Sequence, residues 1–322
     1  MLRLTKLGTN VVGRRLYSVA PVTPVNQITI ADLFAKHVSK QPITMITAYD
    51  YITGTWAQAA ECDMVLVGDS LAMCALGYNS TTEISLQEFK YHVAAVCRAP
   101  GTAFVVADMP FGSFESSLEK GIETAVSLMQ VSSKVGAVKL EVGSSSNPNG
   151  LRDYSLRLAE ELCSRGIPVV GHIGLTPQRV HALSGYKAQG GADARRAEAI
   201  HRTAQELERV GCFSVVLECV PHKVSETITR NLNIPTIGIG AGKNTSGQVL
   251  VQSDLLGMLP GKLPRLAKQY GHLYEDSVRC IRTYMDEVTT GKFPENEKHG
   301  FRIKETVWLE YLAKVGKGNG DL

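Results

Sequence analysis

Short apolar runs alternate with longer amphipathic segments along the chain from Ile28 onward. The short runs are rich in Val and Ile and apolar on both faces, which is typical of parallel strands covered by helices. A weaker run, Val249–Leu256, predicts either an eighth strand or an edge segment. The other predicted strands are Ile43–Thr47, Met64–Val67, Ala103–Ala107, Ala137–Leu140, Pro168–His172, Phe213–Leu217 and Thr236–Ile239.

Amphipathic segments between these strands predict helices, so strand and helix alternate throughout the chain. This alternation predicts an α/β fold of the closed (β/α)₈ TIM barrel type. An open, doubly wound sheet is the alternative, and it is disfavoured because no G-x-G-x-x-G motif follows the first strand. The predicted helices are Thr53–Glu61, Ser85–Arg98, Ser116–Val131, Leu151–Ser164, Ala192–Val210 and His222–Asn231.

The two ends of the chain depart from this alternation. Beyond about Gly261 the pattern becomes helical and charged, over Leu266–Val288, which predicts a C-terminal helical extension. We therefore expect one barrel domain over residues 26–301, with its C-terminal helices. Residues 1–25 precede it as a transit segment, and residues 302–322 follow it as an extension to which the sequence assigns no role.

The first residues have a composition of their own. No Asp or Glu occurs before Asp32, and basic residues such as Arg14 and Arg15 stand among apolar and hydroxyl residues. This is the composition of a mitochondrial transit peptide, and the sequence around Tyr17 and Ser18 resembles a processing site with cleavage after Tyr17. A disordered basic tail is the alternative. The interpretation as a transit peptide predicts that the protein is located in mitochondria.

Composition excludes several other classes of protein. Apolar residues make up 44% of the chain and the net charge is only +3, with no basic stripe suited to nucleic acid. No apolar run approaches the ~20 residues that span a bilayer, so no membrane partner is expected. The seven cysteines form no C-x-x-C pair and lie mostly in apolar segments. They are interpreted as buried thiols rather than as a disulfide framework or a zinc site.

Charged side chains stand where most of the predicted strands end. Because the carboxyl ends of all barrel strands meet at the catalytic face, these side chains are expected to lie together. Acids at the ends of strands two, three, four and six, with a lysine among them, predict a metal-assisted carbon-acid site. The strand-end residues are Asp50, Asp69, Ser70, Asp108, Lys139, Glu141, His172 and Glu218.

Two of these groups have alternative interpretations. Asp69 and Asp108 come from adjacent strands and could share one hard cation, Mg²⁺ before Ca²⁺ or Mn²⁺, since two such carboxylates repel each other without one. In the alternative interpretation the two residues bind no cation: Asp69 caps the following turn, and Asp108 is exposed to solvent. Lys139 lies two residues from Glu141 on the same side of a strand. It could pair with Glu141 or with a substrate carboxylate.

Three further features stay open on the residues alone. Glu218, in an apolar setting, suits a general base or an acid at a helix N-terminus. His172 suits an oriented structural histidine or a base. The glycines of Ile237–Gly242 suit a phosphate cradle or a close approach of backbone to a ligand.

Eight sequence blocks, in order, resemble the ketopantoate hydroxymethyltransferase family, and the likeness runs from about Ile28 to Phe301. The match of the whole ordered set is far more specific than that of any single block. Ala72 and Ala188 depart from the family pattern by small apolar changes only. The blocks are ITAYDY (46–51), VGDSLAM (67–73), ADMPF (107–111), KLEVG (139–143), GHIGLTPQ (171–178), SGYKAQG (184–190), VLECVP (216–221) and IGIGAG (237–242).

The resemblance implies a TIM-barrel enzyme that assembles as a homo-oligomer, a decamer. It implies transfer of a hydroxymethyl group from 5,10-methylenetetrahydrofolate to 3-methyl-2-oxobutanoate, which gives 2-dehydropantoate (ketopantoate) for pantothenate and coenzyme A synthesis. The expected chemistry is Mg²⁺-assisted enolate formation with Glu218 as the catalytic base. The implied metal ligands are Asp69, Asp108 and Glu141, and the implied substrate-binding residues are Asp69, Ser70, Asp108 and Lys139.

Two rival interpretations remain. A metal-enolate barrel of the isocitrate lyase or phosphoenolpyruvate mutase type would need a K-K-C-G-H-type loop, which the sequence lacks. A barrel that binds metal or folate without turnover would be supported by loss of Glu218 or Lys139, and both are present.

Overall fold

Eight parallel strands close into a barrel in chain order, with β8 paired to β1, in the computed structural model of the chain. The structure describes residues 27–144 and 153–316, so the predicted transit segment lies outside the described residues. The predicted TIM barrel is confirmed. The strands are β1 (Ile43–Thr47), β2 (Met64–Val67), β3 (Phe104–Asp108), β4 (Val135–Glu141), β5 (Val169–Gly174), β6 (Ser214–Glu218), β7 (Thr236–Ile239) and β8 (Gly247–Leu250).

Helices follow most of the strands, and those that lie between consecutive strands in the sequence cover the outside of the barrel. Short 3₁₀ turns at Thr81–Glu83 and Pro177–Arg179 interrupt the loops after β2 and β5. The helices are α1 (Ile30–Val38), α2 (Tyr51–Ala59), α3 (Leu71–Cys74), α4 (Leu86–Cys97), α5 (Leu118–Met129), α6 (Tyr154–Ser164), α7 (Ala194–Arg209), α8 (His222–Asn231), α9 (Gln252–Leu256), α10 (Leu273–Thr289), α11 (Asn296–His299) and α12 (Glu305–Val315).

Alternate side chains along each strand enter two different cores. In β3, Val105 and Ala107 pack outward against the helices, whereas Phe104 and Val106 fill the interior of the barrel. The interior set, called the lumen core here, is completely apolar and buried. From the strands and their flanks it comprises Ile43, Met45, Met64, Leu66, Phe104, Val106, Ala137, Val170, Phe213, Val216, Ile237, Ile239 and Val249.

The amino-terminal helix α1 closes the lower end of the barrel. Thr29 and Asp32 form a reciprocal capping box that starts this helix, and Leu33 on its buried face joins the lumen core. The sequence analysis assigned no element to these residues, although a threonine followed three residues later by an acid is a signal for the start of a helix.

The eighth strand is shorter and earlier than the segment that predicted it. Gly247–Leu250 pairs with β1, and the chain then turns into α9. The Gln252 backbone N–H donates to the Thr47 side chain at this turn. Because the apolar residues continue from β8 into α9, the sequence pattern predicted the segment Val249–Leu256 as one element.

The chain divides into two compact units. The first contains the barrel and ends at Leu255, with Lys262–Lys268 also belonging to it. The second comprises Leu256–Gly261 and the chain from Gln269 onward, and within it α10 and α12 expose apolar side chains such as Ile281 and Leu309. The predicted boundaries after residues 25 and 301 stay predictions.

In the described part of the chain, no helix is both long and apolar enough to cross a membrane.

Candidate active site

The interior of the barrel changes from apolar to charged at the carboxyl ends of its strands. Along β3 the interior positions run Phe104, Val106 and then Asp108. The strand register sets Asp108 beside Lys139, and Glu141 beside His172. Glu218 stands two residues beyond Val216 of the lumen core, on the same face of β6. The strand-end residues Asp108, Lys139, Glu141, His172 and Glu218 therefore form one charged layer above the apolar lumen core.

Asp69 and Asp108 meet at the ends of β2 and β3, and both are buried. The Asp69 backbone N–H donates to Asp108 Oδ2 at 2.9 Å. Burial, and then repulsion by the Asp108 carboxylate, raise the pKa of Asp69 to about 7. A Cβ at Gly68 would be in ordinary contact with Asp108 Oδ2, at 3.6 Å, but would crowd Ser70 Oγ, at 3.2 Å. The predicted contact residue Ser70 thus stands beside the acidic pair.

Lys139 pairs with Asp108 across the sheet. Its Nζ lies 2.9 Å from Asp108 Oδ1 and 3.1 Å from His172 Nδ1, and its side chain is 6% exposed. Burial opposes the lysine charge, but the surrounding carboxylates, with Asp108 foremost, outweigh burial and raise the pKa of Lys139. The sequence left Glu141 and a substrate carboxylate as candidate partners, whereas the nearest carboxylate in the structure is Asp108.

Glu141 lies behind this pair and is also buried. Burial, followed by repulsion from Asp69, raises the pKa of Glu141 well above its ordinary value. Its Oε1 lies 3.7 Å from His172 Nδ1, and its Oε2 accepts a hydrogen bond from the Gln178 backbone N–H at 3.0 Å. A neutral or metal-compensated state is thereby favoured at this carboxyl group.

His172 and Glu218 extend the layer toward solvent. His172 Nε2 lies 3.2 Å from Glu218 Oε2. Burial, and then the positive charge of Lys139, lower the pKa of His172 and keep the imidazole neutral near pH 7. The Glu218 side chain is 16% exposed, against 6% or less for its charged neighbours Asp108, Lys139, Glu141 and His172. Glu218 is therefore the acid of this layer that an incoming molecule meets first.

The backbone around Glu218 is held from two sides. Gly174 has a φ of +97° at the end of β5, and a Cβ there would come within 2.3 Å of the Glu218 carbonyl oxygen. Cys219 has a φ of +51°, which costs a non-glycine residue about 1–2 kcal/mol. Its N–H donates to the Ile239 carbonyl at 2.9 Å. Helix α8 begins after Pro221 without a side-chain cap, so Glu218 does not cap it.

Two other sequence features have structural explanations. Asp50 is the N-cap of α2, where its carboxylate accepts from the Thr53 backbone N–H at 2.7 Å. In the segment Ile237–Gly242, a Cβ at Gly242 would lie 2.4 Å from the His222 Cβ, so packing alone requires glycine there. Neither feature needs a ligand.

Gln178 is a buried member of the site that the sequence patterns did not single out. Its side chain donates to Asp69 and its backbone donates to Glu141. It lies in a 3₁₀ turn between the fifth predicted strand and the next predicted helix, where the sequence predicted neither element and no periodicity marks burial. The one feature of the sequence that could have pointed to Gln178 is its place in the GHIGLTPQ block, which resembles the family.

The donor chemistry of the charged layer fits a hard divalent cation. Its oxygen donors are the carboxylates of buried acids, and Asp108 accepts from the Asp69 backbone through Oδ2 while its Oδ1 faces the Lys139 ammonium. The described residues contain no preformed cluster of three His, Cys, Asp or Glu ligands. Two carboxylates completed by water and substrate oxygens are nevertheless the usual surroundings of Mg²⁺. Asp69 and Asp108 could hold such an ion, and the buried Glu141 carboxyl group is close enough to interact with both of them.

The fold and this layer together define a TIM-barrel enzyme with a carboxylate-lined site at the carboxyl end of its strands. The model of the ketopantoate hydroxymethyltransferase family matches residues 27–296. A 3-methyl-2-oxobutanoate hydroxymethyltransferase of Saccharomyces cerevisiae is 48% identical over 305 residues, which cover 95% of this chain and 96% of that protein. One of Bacillus cereus is 43% identical over 288 residues, covering 89% and 98%.

The chain belongs to the ketopantoate hydroxymethyltransferase family. The predicted family and the prediction of an enzyme of the transferase class are confirmed.

Solved structures with low sequence identity share the barrel. A phosphoenolpyruvate phosphomutase from Streptomyces platensis subsp. rosaceus has a TM-score of 0.53 at 13% identity, covering 90% of this chain and 96% of its own. A phosphonopyruvate hydrolase solved with oxalate and Mg²⁺ has a TM-score of 0.52 at 9% identity, covering 90% and 97%. At this identity the likeness shows the fold alone.

Proposed function

We propose that this enzyme transfers a hydroxymethyl group from 5,10-methylenetetrahydrofolate to 3-methyl-2-oxobutanoate, giving 2-dehydropantoate. The observation that carries the proposal is the placement of a buried lysine and a partly exposed glutamate in one layer beside two buried aspartates. A 2-oxo acid needs a cation for its carboxylate and a base for its C3 proton. Lys139 and Glu218 supply these two groups.

Binding of the oxo acid falls to the deeper part of the layer. Lys139 is buried and remains protonated, so its ammonium can pair with the substrate carboxylate where water is excluded. Ser70 adds a hydroxyl beside Gly68, where it can donate to a substrate oxygen. The acid is thereby oriented with its C3 carbon toward Glu218.

Proton transfer falls to Glu218. Its carboxylate takes the proton from C3, and the electron pair of that C–H bond becomes the enolate. His172 is neutral and lies 3.2 Å from the same carboxylate, so it can hold Glu218 in place through a hydrogen bond that tightens when substrate binds. The enolate carbon then attacks the methylene carbon of the folate-derived iminium, and the electrons of the C=N double bond move to the folate nitrogen. The oxygen of water replaces that nitrogen on the methylene carbon, which leaves a hydroxymethyl group on C3, and the folate nitrogen takes a proton as tetrahydrofolate leaves.

Asp69 and Asp108, with Glu141 behind them, would hold Mg²⁺. When bound, Mg²⁺ supplies a Lewis acid that stabilises negative charge on the keto oxygen. It would also relieve the mutual repulsion that raises the pKa of Asp69.

A steady-state assay tests the proposed reaction. Purified enzyme is given 3-methyl-2-oxobutanoate and 5,10-methylenetetrahydrofolate, with Mg²⁺ or with excess EDTA, and 2-dehydropantoate is measured by mass spectrometry. We expect turnover with Mg²⁺ and a loss of at least about tenfold without it. No product in any divalent metal would contradict the proposed function.

The location of the enzyme is a separate proposal. We propose that residues 1–25 direct the protein to mitochondria, on the strength of their acid-free, arginine-bearing composition. Residues 1–30 fused to a reporter should carry it to mitochondria, and the mature native protein should begin near Ser18. A cytosolic reporter, or native protein that retains Met1, would refute this.

We also propose that the enzyme is a homo-oligomer, a decamer by resemblance to its family. Exposed apolar side chains on α10 and α12, such as Ile281, Met285 and Leu309, are suited to burial between subunits. Sedimentation velocity of the purified protein measures the assembly, and a monomer at micromolar concentration would rule it out.

A further inference from the structure

Gln178 joins the two carboxylates that flank the proposed metal position. Its side-chain Nε2 donates to Asp69 Oδ2 at 2.8 Å and to the Met109 carbonyl at 2.9 Å. Its backbone N–H donates to Glu141 Oε2 at 3.0 Å. One buried residue at the end of β5 thus makes contacts with the ends of β2, β3 and β4.

The orientation of this amide is fixed by its neighbours. Both atoms that face Nε2 are oxygens, and the Met109 carbonyl can only accept, so the amide nitrogen and not its oxygen must face them. Both hydrogens of the amide are then used, one for each acceptor. Rotation of the Gln178 side chain would break both bonds in a buried site, which is costly.

A neutral donor is the appropriate group at this position. Asp69, Asp108 and Glu141 repel one another, and Lys139 already supplies one positive charge. A second cationic side chain would compete with a metal ion for the same oxygens. An amide holds the Asp69 carboxylate in one rotamer without neutralising it, so the charge stays available to a cation.

We propose that Gln178 is a positioning residue that holds Asp69 and Glu141 in the arrangement that binds the divalent cation. This inference rests on the proposed function for the identity of the cation. Gln178 contacts neither the substrate nor the reacting atoms, and it acts through the two carboxylates. The backbone contact to Glu141 survives any side-chain change, so substitution mainly releases Asp69.

Substitution by methionine and by glutamate tests this role. Gln178→Met keeps the length of the side chain and removes both donors, whereas Gln178→Glu replaces the donors by a fourth acid. The control is Gln58→Met, because Gln58 is also buried and its Oε1 accepts from the Ala103 backbone N–H at the opposite end of β3. Mg²⁺ binding to metal-stripped protein is measured by calorimetry at one pH, together with thermal unfolding and steady-state kinetics.

We expect Gln178→Met to weaken Mg²⁺ about 10- to 100-fold, as loss of a contact behind a metal ligand usually does. Its turnover should recover toward the wild-type value at saturating Mg²⁺, because the reacting groups are unchanged. Gln178→Glu should not recover, since the added acid is repelled by Asp69. Gln58→Met should melt earlier and bind Mg²⁺ as the wild type does, which separates a general loss of stability from the specific effect.

Mg²⁺ affinity within about twofold of wild type in Gln178→Met, or an equal loss in Gln58→Met, would overturn the inference. Wild-type protein that binds no Mg²⁺ would instead count against the proposed function. In that case a crystal structure of Gln178→Met decides the positioning role by itself. A displaced Asp69 carboxylate would support it, and an Asp69 carboxylate in its wild-type place would overturn it.

Discussion

Glu218→Gln is expected to abolish exchange of the C3 proton of 3-methyl-2-oxobutanoate with D₂O, in the absence of any folate. The amide keeps the shape of the side chain but has no carboxylate to accept the proton, so the rate should fall by about 10²- to 10⁴-fold. Binding of metal and oxo acid should persist, because Asp69, Asp108 and Lys139 are unchanged. Proton NMR of the substrate follows the exchange directly.

The matched control for this experiment is Glu226→Gln. Glu226 is an acid on α8 that pairs with Arg230 at the surface, 2.8 Å between the nearest atoms, and lies outside the charged layer. Its variant should exchange the C3 proton at the wild-type rate. A Glu218→Gln enzyme that exchanges normally would remove Glu218 from the mechanism and direct attention to His172. Melting temperatures of both variants show whether either change unfolds the protein.

Asp108→Asn is expected to weaken Mg²⁺ binding, and with it turnover, by more than about tenfold, because it removes a charged ligand of a hard cation. The same change removes the carboxylate partner of Lys139, which lies 2.9 Å away, so the oxo acid should bind more weakly as well. Asp69→Asn should lose Mg²⁺ to a similar extent while leaving the Lys139 pair intact. Calorimetric titration of metal-stripped protein measures both.

A buried aspartate outside the charged layer provides the control. Asp63 pairs with Lys36 and accepts hydrogen bonds from Thr44 at the start of β1, at the opposite end of the barrel. Asp63→Asn should lower the melting temperature without changing Mg²⁺ affinity. Near-normal turnover of Asp69→Asn or Asp108→Asn at low Mg²⁺ would show that the two-ligand assignment is wrong.

The pH dependence of Mg²⁺ binding follows from the state of Asp69. With a pKa raised to about 7 in the metal-free protein, this carboxyl group carries a proton below that pH, and the proton has to leave before a cation binds. Mg²⁺ affinity should therefore increase as the pH rises through 7. The Asp69→Asn variant should not show this increase of Mg²⁺ affinity with pH, because an amide carries no proton that has to leave.

Much of the barrel and of its charged layer could be predicted because both follow from the strands. Interior positions repeat every second residue, so a charge that continues an apolar alternation, such as Asp108 after Val106, has to stand at the upper end of the interior. Lys139 and Glu218 were predicted in the same way. Their roles in catalysis stay predictions until the variants are measured.

The rest depends on contacts between strands and loops that no local pattern encodes. The spacing of Lys139 and Glu141 suggested a pair, but the register of β3 against β4 brings Asp108 closer. Gln178 lies in a turn that looks polar and exposed in the sequence, and only the folded chain places it under Asp69. Cross-strand register and loop burial are therefore what the sequence left undetermined.

The depth of the charged layer also governs the order in which molecules can enter and leave. Leu33 and the lumen core fill the lower part of the barrel, and Lys139 lies deeper in the charged layer than Glu218. In the proposed reaction, an oxo acid held at Lys139 is covered by whatever binds above Glu218. The small acid must then arrive before the folate, and tetrahydrofolate must depart before the product. For the proposed reaction, the depth of Lys139 below Glu218 therefore predicts a compulsory order in which the last molecule to bind is the first to leave.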